Sequence, residues 1–245
     1  MTEGILRTAM GVYVLAKDIA MSRHIEVHGR LDVSSVHDIA PYAQYIPEGG
    51  TVINAGGFLG DHAVVYAQLV GARGHVHVFE PHPLTFEALT LNMARLTNVT
   101  TYHAALGLNV GPAILHEAMD RGCSCVMPQG ADGTSIQRDG SQAEMRKIPI
   151  TVNTLDTVFL DTLDRCDLIH LDVEGAEIQA LFGGKDLIQK LKPALVLEVG
   201  ACHLQKWGLS PEQVFDYLNQ IGYRANWINA VGQGDGVYNI LALPR

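Results

Sequence analysis

Residues 51–60 read TVINAGGFLG. The β-branched Val52 and Ile53 favour an extended strand, Gly56, Gly57 and Gly60 permit tight backbone geometry, and HAVVYAQLV at 62–70 has the apolar spacing of a helix packed on a sheet. This is a strand, a glycine loop and a helix. At such a turn backbone N–H groups can approach a ligand closely, and the helix dipole favours an anionic or carboxylate group. A plain tight turn uses the same glycines, so the rest of the chain has to decide between the two readings.

Downstream, GHVHVFEPHP predicts a second strand over 75–79 that ends at Glu80 and is closed by Pro81 and Pro83. Glu80 falls twenty residues after Gly60, where a doubly wound sheet places the acid that accepts hydrogen bonds from ribose hydroxyls. His75 and His77 share one face of that strand, and a lone HxH is read as structural rather than as a metal site. The spacing predicts a helix over 84–96 and a third strand over 99–105. Residues 106–148 contain a hairpin strand at 113–116 and then a glycine-, serine- and aspartate-rich stretch, too long for a simple connector and read as a substrate loop or lid.

A short strand at 149–153 and a helix at 155–163 lead to DLIHLDVEGAEIQALFGG. It predicts a fourth strand over 167–171, an acidic turn, and a helix over 176–182 closed by Gly183 and Gly184. Asp172 and Glu174 alternate at the strand end and so aim the same way, suited to a substrate, a cofactor amine, a metal or general-base work, or to capping the next helix. KPALVLEVG makes a fifth strand ending near Glu198, with His203 just beyond. A helix opens at Pro211, and YRANWI and GVYNILAL form a closing hairpin, giving about seven strands. A mostly parallel sheet closed by an antiparallel pair differs from the two mirrored halves of a dehydrogenase.

The 245 residues fit one large α/β domain at 48–245, preceded by an extension over 1–47 with a weak helical pattern (Ile5, Leu6, Ala9, Met10, Tyr13, Val14) and a helix over 36–45. That extension is read as packed on the sheet, with capping of the pocket or homodimerisation as its other uses. Hydrophobic residues make up 47% and charged residues 18%, enough to fold by burial. A net charge of −9 argues against gripping nucleic acid or anionic lipid, so small molecules are the expected partners. Cys123, Cys125, Cys166 and Cys202 lack metal-finger spacing and fit a reducing compartment. With neither a leader pattern nor an apolar run near the ~18 residues of a membrane span, a cytoplasmic location is expected.

The glycine turn, the acid and proline of FEPHP, and above all HLDVEGAE at 170–177 followed by KPALVLEV resemble the FkbM-type methyltransferases over about residues 50–200. The resemblance implies the class I methyltransferase fold, Rossmann-like, with a seven-stranded mostly parallel sheet, helices on both faces and a C-terminal antiparallel hairpin. It also implies S-adenosylmethionine as cofactor. Gly56 and Gly60, within Asn54, Ala55, Gly56, Gly57, Phe58 and Gly60, would form the floor under its methionine part. Glu80, followed by Pro81, would take the ribose hydroxyls, Ala105 would lie beside the adenine, and Asp172 and Glu174 would face methyl donor and substrate. The family usually carries aspartate where this chain has Asn54, and a small residue then asparagine where it has Gly57 and Phe58. The uncharged Asn54 would weaken a bond to a bound ammonium by ~1 kcal/mol or more, and Phe58 would bring an aromatic wall that attracts a sulfonium or narrows the site.

The leading reading is methyl transfer to a hydroxyl of a small molecule, with Asp172, Glu174 and His203 as candidate bases and no metal assigned, since two acids are too few ligands. An NAD-dependent oxidoreductase is the second reading, because Ala55, Gly57 and Gly60 fall in the register of GxGxxG. A methyltransferase-like fold without activity is the third.

Overall fold

A computed structural model describes residues 5–7, 13–15, 33–117, 124–126, 134–136, 142–231 and 237–245. Its centre is a seven-stranded sheet: β1 (Thr51–Ala55), β2 (His75–Phe79), β3 (Val99–Tyr102), β4 (Leu168–Leu171), β5 (Ala194–Gly200), β6 (Tyr223–Val231) and β7 (Val237–Pro244). The spatial order is β6-β7-β5-β4-β1-β2-β3, with β7 antiparallel to both β5 and β6 and the other neighbours parallel.

The helices are α1 (Val33–Ile39), α2 (Asp61–Val70), α3 (Pro83–Met93), α4 (Leu155–Phe159), α5 (Glu177–Phe182), α6 (Lys185–Leu191), α7 (Ala201–Gln205) and α8 (Pro211–Gln220). Strand residues alternate between two cores. Val52, Val76, Val78, Leu168 and Val196 face α1 and α2 with Ile39, Ala63, Tyr66 and Val70. Ile53, Phe79, Ile169, Leu171, Leu195 and Leu197 face the other helices with Leu155, Leu181, Val214 and Leu218. Burial on both faces explains why these strands read as continuous apolar runs.

Helix starts follow local chemistry. Ser210 and Gln213 form a capping box ahead of Pro211, Thr154 and Thr157 do the same for α4, and His82 Nδ1 accepts from Thr85 N–H at 3.3 Å ahead of Pro83. His75 bonds Thr100 Oγ1 at 2.8 Å and His77 bonds the Tyr102 hydroxyl at 2.9 Å, so both histidines tie β2 to β3. Burial lowers His77 to about 4, which keeps it neutral.

Three expectations change. The helical spacing near the N-terminus gives way to an antiparallel pairing of Ile5–Arg7 with Tyr13–Leu15. Asn92 on α3 accepts from Tyr13 N–H and donates to Tyr13 O, satisfying backbone groups that a helix would have paired internally. The helix α6 adds an element between Gly184 and β5, where the sequence analysis assigns none. Over 106–148 the described residues are largely sheet: Ala105–Leu106, Gly111–Glu117, Cys125–Val126 and Arg146–Asn153 form four strands. Cys123 lies outside the described residues.

Candidate active site

The glycine turn leaves β1 with Gly56 at φ +83° and Gly60 at φ +99°, and the N–H groups of Gly56 and Gly57 both donate to Phe79 O, at 3.1 and 2.9 Å. The turn is thereby held against the end of β2. A Cβ on Gly56 would lie 1.8 Å from Asp172 O, so only glycine lets the turn pass β4. Asp172 N–H donates to Ala55 O at 3.0 Å, which places Asp172 one step past β4 at the carboxyl edge of the sheet.

A cavity of about 210 Å³ opens at this edge. Of the residues singled out from sequence, Ala55, Gly56, Phe58, Glu80, Pro81, Ala105, Asp172 and Glu174 line it. Asn54, Gly57, Gly60 and His203 do not. Gly57 and Gly60 point away from the cavity: added Cβ atoms would meet Val78 Cγ1 and Met93 Cε, both at 2.4 Å, so these glycines serve packing. Asn54 is fully buried beneath the turn, and neither its Oδ1 nor its Nδ2 has a partner. His203 stands behind Glu174, with Nδ1 3.0 Å from Oε2, and this contact raises the imidazole above its usual value.

Glu80 is buried, and its two oxygens accept from Phe58 N–H at 3.0 Å and His82 N–H at 2.8 Å. Burial outweighs these bonds and pushes its carboxyl up to about 7. It clamps the glycine turn to the turn after β2 while still presenting lone pairs to the cavity. Glu177 plays a similar part in DVEGAE: Oε1 accepts from Gly175 N–H at 3.0 Å and Val173 N–H at 3.3 Å, and burial raises it to about 7. A Cβ on Gly175 would come within 2.6 Å of His203 O, so α7 packs directly on this turn.

Phe58 at φ +42° and Glu174 at φ +56° both line the cavity. Non-glycine residues in this conformation cost about 1–3 kcal/mol each and are held only where surrounding contacts dictate it, a pattern typical of functional sites.

Sequence reasoning missed several lining residues. Asp61 and His62 occupy the first turn of α2, Phe79, Ala104 and Leu106 make an apolar wall, and Leu115, Ser124 and Val126 cover the opening from the second sheet. The signal for the first two was their place directly after the glycine turn. Glu198 was visible as a strand-end acid; its carboxyl shares a hydrogen bond with Asp172, and burial together with neighbouring acids pushes Asp172 well above the usual carboxyl range. The second sheet is tied down at two points. His82 Nε2 lies 3.1 Å from Glu117 Oε1, and Lys206 Nζ donates to Cys125 Sγ at 3.3 Å. Among the described residues no group of three His, Cys, Asp or Glu side chains could hold a metal ion.

The model of the methyltransferase FkbM domain matches residues 53–225, most of the chain. The protein belongs to the FkbM methyltransferase family. Its family and fold are those of S-adenosylmethionine-dependent methyltransferases. The structure of the methyltransferase FkbM from Methylobacillus flagellatus KT superposes with a TM-score of 0.53 at 17% identity, covering 80% of this chain and 44% of that one. The chain therefore spans less than half the length of that relative. An S-adenosylmethionine-dependent O-methyltransferase from Thermotoga maritima superposes with a TM-score of 0.51 at 13% identity, covering 99% and 77%. No curated protein matches the sequence. The strand order with its antiparallel β7 and the family match leave the dehydrogenase reading unsupported. Among the described residues no helix is long and apolar enough to cross a membrane.

The cavity suits the family's cofactor. A backbone cradle at Gly56 that a side chain would fill, a buried acid with free lone pairs at Glu80 and an apolar wall from Phe79 to Leu106 lie along one cleft.

Proposed function

We propose that this protein transfers a methyl group from S-adenosylmethionine to a hydroxyl of a small molecule. The cofactor supplies a sulfonium-bound methyl open to in-line displacement. Glu80 would hold the ribose hydroxyls, Ala105 and its apolar neighbours the adenine, and Gly56 the methionine end, with Asp172 facing the donor. A hydroxyl is a weak nucleophile until its proton has somewhere to go, and most of the remaining barrier is positioning. Glu174 would take that proton, with His203 as the positioning residue behind it.

The observation that supports this reading is the Glu174–His203 pair, with Glu174 on the cavity wall and its partner 3.0 Å behind. Residues 48–245 would form the transferase domain, 1–47 its extension, and the second sheet within 106–148 the cover over the acceptor. Where the cover meets the cavity its described residues, Leu115, Ser124 and Val126, carry no charge, so the cover itself offers the acceptor no ionic contact.

Titration calorimetry with S-adenosylhomocysteine, followed by mass spectrometry of products from a panel of hydroxyl compounds, tests the proposal. Binding of the homocysteine product and an oxygen-linked methyl in the product support it. Heat with NADH and none with S-adenosylhomocysteine, or methyl transfer only to nitrogen or carbon, overturns it.

A further inference from the structure

On the face of the sheet that packs against α2, the strand registers line up polar groups that the proposed transfer leaves unused. Glu198 on β5 stands directly opposite Asn239 on β7. Leu171 is paired with Leu197, so the next step along both strands sets Asp172 beside Glu198, and their carboxyls share a hydrogen bond. The row therefore runs Gly56, Asp172, Glu198, Asn239. Asn239 is 6% exposed, and its Oδ1 has no hydrogen-bond partner. Two residues back along the strands, on the same face, lie His170 and the unpartnered Asn54.

This corner has acceptors in excess of donors. Two carboxyls and a buried amide stand side by side on one face of the sheet, and none of the described residues lining the cavity is a lysine or arginine. A buried acceptor without a donor is unfavourable, so such an oxygen marks a place where a ligand brings the missing N–H or O–H. An ammonium group carries a positive charge and three N–H donors, matching the two carboxyls and the amide oxygen. We propose that Asp172, Glu198 and Asn239 form a binding site for an ammonium group, carried by the methionine end of the cofactor or by an amine on the methyl acceptor. The inference rests on the methyltransferase reading above and extends the site to two residues on β5 and β7.

The site has a proton consequence. Asp172 and Glu198 face Glu174, Glu177, His62, His203 and the hydroxyls of Tyr42 and Tyr66. Four of those neighbours are carboxyl or histidine groups that act on the pair's charge, and burial together with the adjoining acids raises both carboxyls, which favours a proton shared between them while no cation is bound. An arriving ammonium replaces that O–H with N–H donors, and the proton leaves to solvent.

Calorimetry at pH 7 in two buffers of different ionisation enthalpy counts the protons. S-adenosylhomocysteine is compared with 5′-methylthioadenosine, which keeps the adenosine and sulfur and lacks the amino-acid end, so any change at Glu80 cancels. The expected result is release of close to one proton with the former and none with the latter. Glu198→Gln keeps a hydrogen bond to Asp172 but cannot share a proton, so it abolishes the release and weakens S-adenosylhomocysteine about tenfold while methylthioadenosine affinity holds. His62→Gln retains the release. Asn239→Ala weakens S-adenosylhomocysteine severalfold with the proton count unchanged, and serves if Glu198→Gln does not fold.

If S-adenosylhomocysteine binds without release but ethanolamine titrated onto that complex releases a proton, the ammonium belongs to the acceptor. If neither ligand releases a proton and both variants bind like the parent, the site is overturned. Failure of S-adenosylhomocysteine to bind at all overturns the methyltransferase reading instead.

Discussion

The two ends of the cavity are both built on buried acids, and they are finished differently. At one end Glu80 already has two backbone donors, Phe58 N–H and His82 N–H, and the turns that supply them are locked to it. At the other end Asp172 and Glu198 lie against each other, beside an Asn239 oxygen without a donor. The first end is preorganised before any ligand arrives. The second is completed only by donors that a ligand carries. A preformed end fixes orientation at little entropic expense, whereas an unfinished one discriminates by charge.

The largest effect should come from the residue that both ends share. Gly56→Ala forces a side chain to within 1.8 Å of Asp172 O at φ +83°, so a destabilisation of about 3–5 kcal/mol and loss of S-adenosylhomocysteine binding are expected by thermal melting and calorimetry. A variant that melts and binds like the parent would mean that β1 and β4 are not pressed together as described.

Next is the preformed end. Glu80→Ala removes the acceptor of two backbone N–H groups as well as the ribose contact. Charged hydrogen bonds are worth about 1.5–3 kcal/mol, so affinity should fall roughly tenfold to a hundredfold, and Glu80→Gln should fall less. Equal losses from the two variants would show that charge alone, and not the clamp on the turns, is what Glu80 provides.

The preformed end and the DVEGAE turn also respond to pH in the ligand-free protein. Glu80 and Glu177 have folded values raised to about 7, above their unfolded value, so their protonated forms favour folding. That stability is complete below the unfolded value near 4.5 and is lost as pH rises towards 7. Melting temperature should therefore fall between about pH 5 and pH 7.5, with a slope of up to about 1.4 kcal/mol per pH unit for each such carboxyl. Glu177→Gln should flatten the fall, and an unchanged slope in that variant would assign the effect to other acids.

The smallest effect on binding is expected from His203→Gln. It touches Glu174 and does not line the cavity, so affinity for S-adenosylhomocysteine should change by no more than about twofold while the pH profile of turnover shifts. A large loss of affinity would instead place His203 in the binding machinery.

Much of the fold was legible along the chain. The apolar runs, the prolines at the starts of α3 and α8 and the glycine turn place most elements within a few residues of where they lie. The N-terminal stretch misled because its apolar spacing was weak and its backbone groups are satisfied by Asn92, some eighty residues away. The site was half legible. Glu80 and the Asp172–Glu174 turn stood out because a strand end is a local feature, whereas Leu115, Ser124 and Val126 reach the cavity through pairings between strands whose joining residues carry no pattern.

Sequence alone was enough for the seven strands of the main sheet, the location of the glycine turn and the acids at the strand ends, because hydrophobic period, turn residues and caps act over a few neighbouring positions. Only the tertiary structure decided that Gly57 and Gly60 face inward, that His203 backs Glu174, and that Asp172, Glu198 and Asn239 stand in one row. Those facts depend on strand register and facing across segments far apart in the chain, and register is set by packing of the whole sheet rather than by any stretch within it.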